Sequence, residues 1–426
     1  MHTTLWKIIP LLLLVGLALA GCGPAVSPEA KSDQARVLAP DVPAGDLDAL
    51  VGGDNAFAFD LYQSLRSTDS NLFYSPYSIS LALAMTYGGA RSDTEAQMAS
   101  TLHFDLPQPD LHAAFNRLDL DLAQSGEAAD ENETQPMQLS IANAVWAQQG
   151  HPFLPEYLDL LALNYGAGLH QADFTTHSEP TRKEINRWVS NQTEERIPEL
   201  VPAGAINPDT RMVLVNAIYF YADWWTQFDP NDTHSAPFRL LDGSEVQVDS
   251  MSSHLFLPYT RGENYQAVEL PYAGQSAAMD IILPDEGQFD TVAASLDWPA
   301  VEGIINSLQD QEMQLRLPKF TYSSQFDLAK QLAAMGMPDA FCSGAADFSG
   351  MDGMQDLCIS SVIHQAFVAV NEEGTEAAAA TAVIMQETAL LLPDFELIID
   401  RPFFFLIRDL SSGQILFAGQ VLDPAQ

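Results

Sequence analysis

Residues 371–392, NEEGTEAAAATAVIMQETALLL, constrain the fold more than any other part of this 426-residue chain. The stretch opens with a polar entry, Glu372, Glu373, Gly374 and Thr375, in which Gly374 can take backbone angles closed to other residues. Glu376, Ala377, Ala378, Ala379, Ala380 and Thr381 follow, and then the run Ala382, Val383, Ile384 and Met385. Two conformations suit it. Alanine and glutamate are strong helix formers, and Thr375 can cap a helix. In a strand, Thr375, Ala377, Ala379, Thr381, Val383 and Met385 share one face that is small or apolar throughout, with Glu376 on the other. These residues alone leave open a helix or a mobile segment that can become a buried strand.

The flanks narrow the choice. Upstream runs His364-Gln-Ala-Phe-Val-Ala-Val-Asn-Glu-Glu-Gly374, and downstream Asp400-Arg-Pro-Phe-Phe-Phe-Leu-Ile407 and Gly413-Gln-Ile-Leu-Phe-Ala-Gly419. Taken together, the lead-in, the alanine-rich hinge and the tail resemble those of the serpins, inhibitors of serine proteases. The likeness extends from about Leu47 to the C-terminus. It implies an α+β serpin fold, one large domain of three β-sheets and about nine helices with an exposed reactive-centre loop.

The same resemblance assigns expected roles. Residues 372–381 would be the hinge. Ser75 and Ser78, in the segment Asn71-Leu-Phe-Tyr-Ser75-Pro76-Tyr-Ser78, match the shutter beneath the strands that separate during loop insertion. Asn216 and His364 match its asparagine and histidine, and Trp224 matches the breach tryptophan where the loop first enters. Local chemistry offers plainer readings beside these: Ser75 and Ser78 as helix caps, and His364 as a satisfied core histidine. Asn216 interrupts the apolar run 211–220, which suits a buried central strand, and needs partners there.

Counting fourteen residues on from Gly374, as in typical serpin loops, places the scissile bond at Thr388–Ala389. No lysine or arginine occurs from Gly374 to Asp400, which disfavours trypsin-like targets. A small β-branched residue before the bond suits elastase-like or subtilisin-like proteases. Glu387, one residue earlier, and Met385 are the alternative positions. The insertion-compatible hinge favours inhibition over a non-inhibitory binding or carrier role. The expected partner is a serine protease held as a covalent acyl complex, and the expected state is a monomer without a cofactor.

The N-terminal region reads as an export signal followed by a tether. Lys7, the apolar run 8–20 and small residues compose a signal over residues 1–21. The run is shorter than the ~20 apolar residues of a membrane span. Leu19-Ala20-Gly21-Cys22 resembles a bacterial lipobox, which makes Cys22 a lipidation site and the lipid the chain's one membrane contact. Residues 22–45, rich in Pro, Ala, Ser and Asp without apolar period, are expected to form a disordered tether, with the domain over 46–426. The expected location is therefore the cell membrane, facing the outside.

Charge and motifs exclude other classes. With 57 acidic residues against 18 Lys plus Arg, the formal net charge is −39. Such a surface repels nucleic acid and heparin-like polyanions, and Arg117 is the one strong base across 104–136. No HExxH, CxxC or GxxxxGK[ST] motif occurs, and Gly274-Gln-Ser276 lacks the closing glycine of a nucleophile elbow. The chain is not expected to be an enzyme. Cys342 and Cys358 are the cysteines left in the domain; pairing in an oxidising compartment and two buried thiols stand as equal alternatives.

Overall fold

The computed structural model describes residues 28–127, 137–342, 344–375 and 395–426. Two hydrogen-bonded sheets carry the domain. The central one has seven strands, ordered β1 (Glu29–Ala30), β4 (Leu169–Ala172), β3 (Gln138–Gln148), β5 (Met212–Asp223), β13 (Gly374–Thr375), β12 (Ser361–Val370) and β11 (Phe320–Asp327). The second has β14 (Glu396–Ile398), β10 (Gln309–Pro318), β7 (Glu245–Arg261), β8 (Tyr265–Pro271), β9 (Ala277–Pro284), β15 (Phe403–Asp409), β16 (Ile415–Val421) and β2 (Leu72–Tyr74), with β6 (His234–Arg239) on β7. The expected second and third sheets are thus continuous. The long strand β7 pairs with β6 and β10 along most of its length and with β8 through Tyr259–Arg261, so one backbone serves both.

Ten α-helices surround the sheets among the described residues: α1 (Ala44–Leu65), α2 (Pro76–Tyr87), α3 (Ser92–Leu102), α4 (Gln108–Glu127), α5 (Pro155–Tyr165), α6 (Phe174–Gln192), α7 (Phe289–Ser295), α8 (Trp298–Asn306), α9 (Ala329–Met335) and α10 (Ser349–Asp352). Every residue of α2 is buried, the polar Ser78, Ser80 and Thr86 included. Pro76 starts it and the Ser75 hydroxyl accepts the Ser78 N–H at 3.2 Å as its cap. It lies under one face of the central sheet, within the main core. On the other face, α6 buries Phe174, Ile185 and Val189 against Trp146, Val213, Val215 and Ile363, a second core.

Residues 28–43 depart from the expected tether. β1 pairs antiparallel with β4 and forms the edge of the central sheet. Beyond it, the Arg36 guanidinium donates to Asn116 Oδ1 at 2.8 Å and pairs with Asp119 at 2.7 Å, while Val37 N–H donates to Leu163 O at 2.9 Å. A free sheet edge and a partly buried acid hold a segment that has no apolar period of its own. Residues 1–27, which hold the expected export signal and Cys22, lie outside the described residues.

The two domain cysteines are joined in a disulfide, with Cα atoms 4.9 Å apart, which closes the loop leading to β12. Among the described residues no helix is long and apolar enough to cross a membrane.

Candidate functional site

Three neighbouring strands carry a row of polar side chains in an otherwise apolar sheet. Asn143 on β3, Asn216 on β5 and His364 on β12 stand abreast in register. They meet the start of α2. Asn216 Nδ2 donates to the Ser78 hydroxyl at 2.6 Å and to Asn143 Oδ1, and Asn143 Nδ2 donates to Ser78 O at 3.0 Å. His364 Nδ1 bonds Asn216 Oδ1, and its Nε2 accepts the Ser75 N–H at 3.1 Å. The Ser75 hydroxyl donates in turn to Leu416 O at 2.6 Å. Ser75, Ser78, Asn216 and His364 are fully buried. Burial keeps the imidazole neutral and lowers its pKa to about 3. With Nδ1 donating to Asn216, neutral Nε2 is left to accept from Ser75, so the bonds fix the tautomer.

All four residues expected from sequence come together here, and Asn143 joins them. Its signal was an asparagine within the alternating apolar run 139–148, but only the β3–β5 register puts it beside Asn216. The network lies across the junction of β5 and β12, which pair in parallel from Val213 with Ser361 to Ile218 with Ala366. Parting these strands would break the bond between His364 and Asn216.

Above Ile218 and Ala366 the junction changes. The chain leaves β12 at Val370, turns on Asn371, whose Oδ1 accepts the N–H groups of Glu373 and Gly374, and re-enters as β13. There Gly374 pairs with Asp223 and Thr375 with Ala222 on β5, while Thr375 also faces Val370 on β12. Gly374 and Thr375, within the expected hinge, therefore begin a strand between β5 and β12. Gly374 is required at this approach, because a Cβ would lie 2.1 Å from Ala222 O. Thr375 is 1% exposed, and its hydroxyl is 2.7 Å from the Tyr272 hydroxyl.

Trp224 anchors this turn. Its indole N–H donates to Asn371 O at 2.9 Å, its backbone N–H donates to Glu373 O at 2.8 Å, and its ring stacks on Tyr272 with centroids 4.7 Å apart. Tyr272 was not singled out in the sequence, where it is one aromatic in a short strand-and-turn region. Glu372 is held by Lys319 at 2.8 Å and by the Thr233 hydroxyl at 2.8 Å. Burial opposes its charge, but the hydrogen bond from Lys319, with others, brings its pKa below the ordinary value. For Glu373, burial and then Asp223 and Glu372 push it up. Residues 376–394, which hold Glu376 to Thr381, Met385, Glu387 and the bond Thr388–Ala389, lie outside the described residues.

The family model for "Serpin (serine protease inhibitor)" matches residues 53–424. The chain is a serpin. As such it is a serine protease inhibitor and not an enzyme. Over 393 residues the serpin is 38% identical to leukocyte elastase inhibitor A of Mus musculus, covering 89% of this chain and all of that one. It is 39% identical over 377 residues to leukocyte elastase inhibitor of Xenopus laevis, covering 86% and 97%. Among solved structures it is similar to the thermophilic serpin tengpin in its native state (TM-score 0.80, 28% identity, 94% of this chain and 100% of that one). It is also similar to uncleaved ovalbumin (TM-score 0.78, 27% identity, 88% and 100%).

Proposed function

We propose that this serpin traps elastase-like or subtilisin-like serine proteases as a suicide substrate, by cleavage at Thr388–Ala389. The protease serine hydroxyl adds to the Thr388 carbonyl, the C–N bond to Ala389 breaks, and the Ala389 amine leaves with a proton. The acylated hinge then continues the strand begun by β13 between β5 and β12 and carries the protease away before water releases it. Reactive-loop insertion of this kind is strand addition that releases stored strain. One observation carries the proposal: Gly374 and Thr375 sit between β5 and β12, so the hinge stands in register for insertion. The names of the elastase-inhibitor relatives and the absence of a basic residue from 374 to 400 support the choice of target. The shutter roles of Ser75, Ser78, Asn216 and His364, and the breach role of Trp224, are part of the proposal.

Incubation with pancreatic elastase, neutrophil elastase and subtilisin tests it. The expected result is a band resistant to denaturant and a released peptide beginning at Ala389. A peptide beginning at Thr388 moves the bond to Glu387, and one beginning at Gln386 moves it to Met385. Cleavage without a covalent band would support the alternative, a serpin-fold carrier.

The location is proposed from sequence: export, lipidation at Cys22 and attachment to the outer face of a membrane, supported by Leu19-Ala20-Gly21-Cys22. Labelled palmitate in a bacterial host should mark the wild type and not Cys22→Ala. Unlabelled wild type would refute the anchor.

A further inference from the structure

Away from the shutter and breach, three donor atoms converge at the opposite end of the central sheet. His151 Nδ1 lies 2.8 Å from Asp352 Oδ2 and 3.7 Å from Asp356 Oδ1, and the three lie within 4.8 Å of one another. The Asp352 side chain has no exposed surface. Its Oδ1 accepts the Met354 N–H at 2.8 Å, and Oδ2 lies 2.8 Å from the His151 ring nitrogen Nδ1. Asp356 is more than half exposed, so an ion reaches the cluster from solvent.

The backbone holds these groups in place. Leu154 N–H donates to Met351 O at 2.7 Å, joining the loop of His151 to α10. Asp356 stands two residues before Cys358, within the loop closed by the disulfide. One imidazole and two carboxylates suit Zn²⁺ or Co²⁺ better than Mg²⁺ or Ca²⁺, whose sites are built from oxygen alone. Three protein donors leave a fourth position for water.

We propose that His151, Asp352 and Asp356 bind a divalent transition-metal ion that ties the loop leaving β3 to the loop entering β12. These loops belong to opposite sides of the junction, since β3 is bonded to β5. A full inserted strand moves β5 and β12 apart by about one further strand spacing, ~4.8 Å. Metal–ligand bonds of about 2 Å do not stretch that far. A bound ion therefore holds the base of the sheet closed and slows completion of insertion, a consequence that rests on the suicide-substrate reading.

The test uses full-length, tag-free protein stripped with chelator, titrated with Zn²⁺ by calorimetry and with Co²⁺ by visible absorption. The expected result is one equivalent bound, unaffected by excess Mg²⁺, with affinity at least tenfold weaker in His151→Ala and Asp356→Asn. The second variant changes an exposed side chain and keeps the fold. Absence of saturable binding, or equal affinity in wild type and both variants, would overturn the site. In a second arm, Zn²⁺ should raise the stoichiometry of inhibition of elastase in wild type severalfold and leave Asp356→Asn unchanged. Metal binding without that rise refutes the tie across the sheet. A protein that binds metal but inhibits no protease refutes the suicide-substrate reading and leaves the site standing.

Discussion

Placing an arginine at Thr375 tests whether inhibition depends on the hinge entering the sheet. The side chain is 1% exposed between Ala222 and Val370, with its hydroxyl against Tyr272. Loss of that hydrogen bond costs about 1 kcal/mol, and burying a guanidinium there without a partner costs several kcal/mol more. The intact variant escapes by withdrawing β13, giving up a few ladder bonds of about 0.5–1.5 kcal/mol each. Insertion offers no such escape, because position 375 must lie between β5 and β12 before any later residue can follow. Even about 3 kcal/mol on that step slows it roughly a hundredfold.

Trapping is a race between insertion and deacylation, so Thr375→Arg should be cleaved at the same bond and release active protease. The assay is the stoichiometry of inhibition, with a denaturing gel for the covalent complex and mass spectrometry for the cleavage position. Glu376→Arg is the control, since alternation puts residue 376 on the opposite face of the strand; it should remain largely inhibitory. Cleaved wild type should also gain thermal stability over the intact chain, and cleaved Thr375→Arg should gain less. Equal trapping by both variants would refute the strand-insertion argument.

Further expectations follow from the same contacts. Asn143→Ala removes a partner of both Asn216 and Ser78 in a buried row, and should cost about 1–3 kcal/mol in urea unfolding. Lys319→Ala leaves Glu372 with the Thr233 hydroxyl and backbone partners, and should speed conversion of the intact protein to an inserted, inactive form on warming, read as loss of inhibitory activity with time. Burial raises Asp54 to about 8 from 3.8, so the folded protein keeps a proton that the unfolded chain loses, and this contribution fades as pH rises from 3.8 to 8. Burial lowers His364 to about 3 from 6.5, so its contribution is whole above 6.5 and fades as pH falls towards 3. Between pH 6.5 and 8 only the first of these two changes, by at most about 1.4 kcal/mol per unit; wild type should lose stability there relative to Asp54→Asn, and parallel curves would contradict the assignment.

How far the sequence reached depended on whether a residue's meaning was local. Ser75 before Pro76 is a cap in any reading, and the apolar run around Asn216 marks a buried strand without knowledge of its neighbours. The strand-face alternation of the hinge was likewise visible, and Thr375 is buried as that face requires. Asn143 and Tyr272 were opaque because their roles come from residues 73 and 103 positions away, brought close by register and by stacking on Trp224. Residues 28–43 misled for a related reason. Their composition contains no folding signal, and what holds them is a sheet edge and the acid Asp119, both supplied by the rest of the domain.

These contacts divide the central junction into two regimes. Below Ile218 and Ala366, β5 and β12 are bonded directly and crossed by the buried bond between His364 and Asn216. Above, β13 already separates them, and Trp224, Tyr272 and Lys319 hold the turn that leads into it. Extending β13 downward makes new ladder bonds on both sides but must first break the β5–β12 ladder and the polar row beneath it. The gain grows with each residue added, whereas the cost of parting the row falls early. In the proposed mechanism, a barrier of that shape delays insertion and makes it run to completion once begun. It also gives a role to the buried polar row in this otherwise apolar sheet. Neutral partners that bond fully in the closed state lose those bonds together when it opens, and this cooperative loss raises the barrier without strengthening the inserted product.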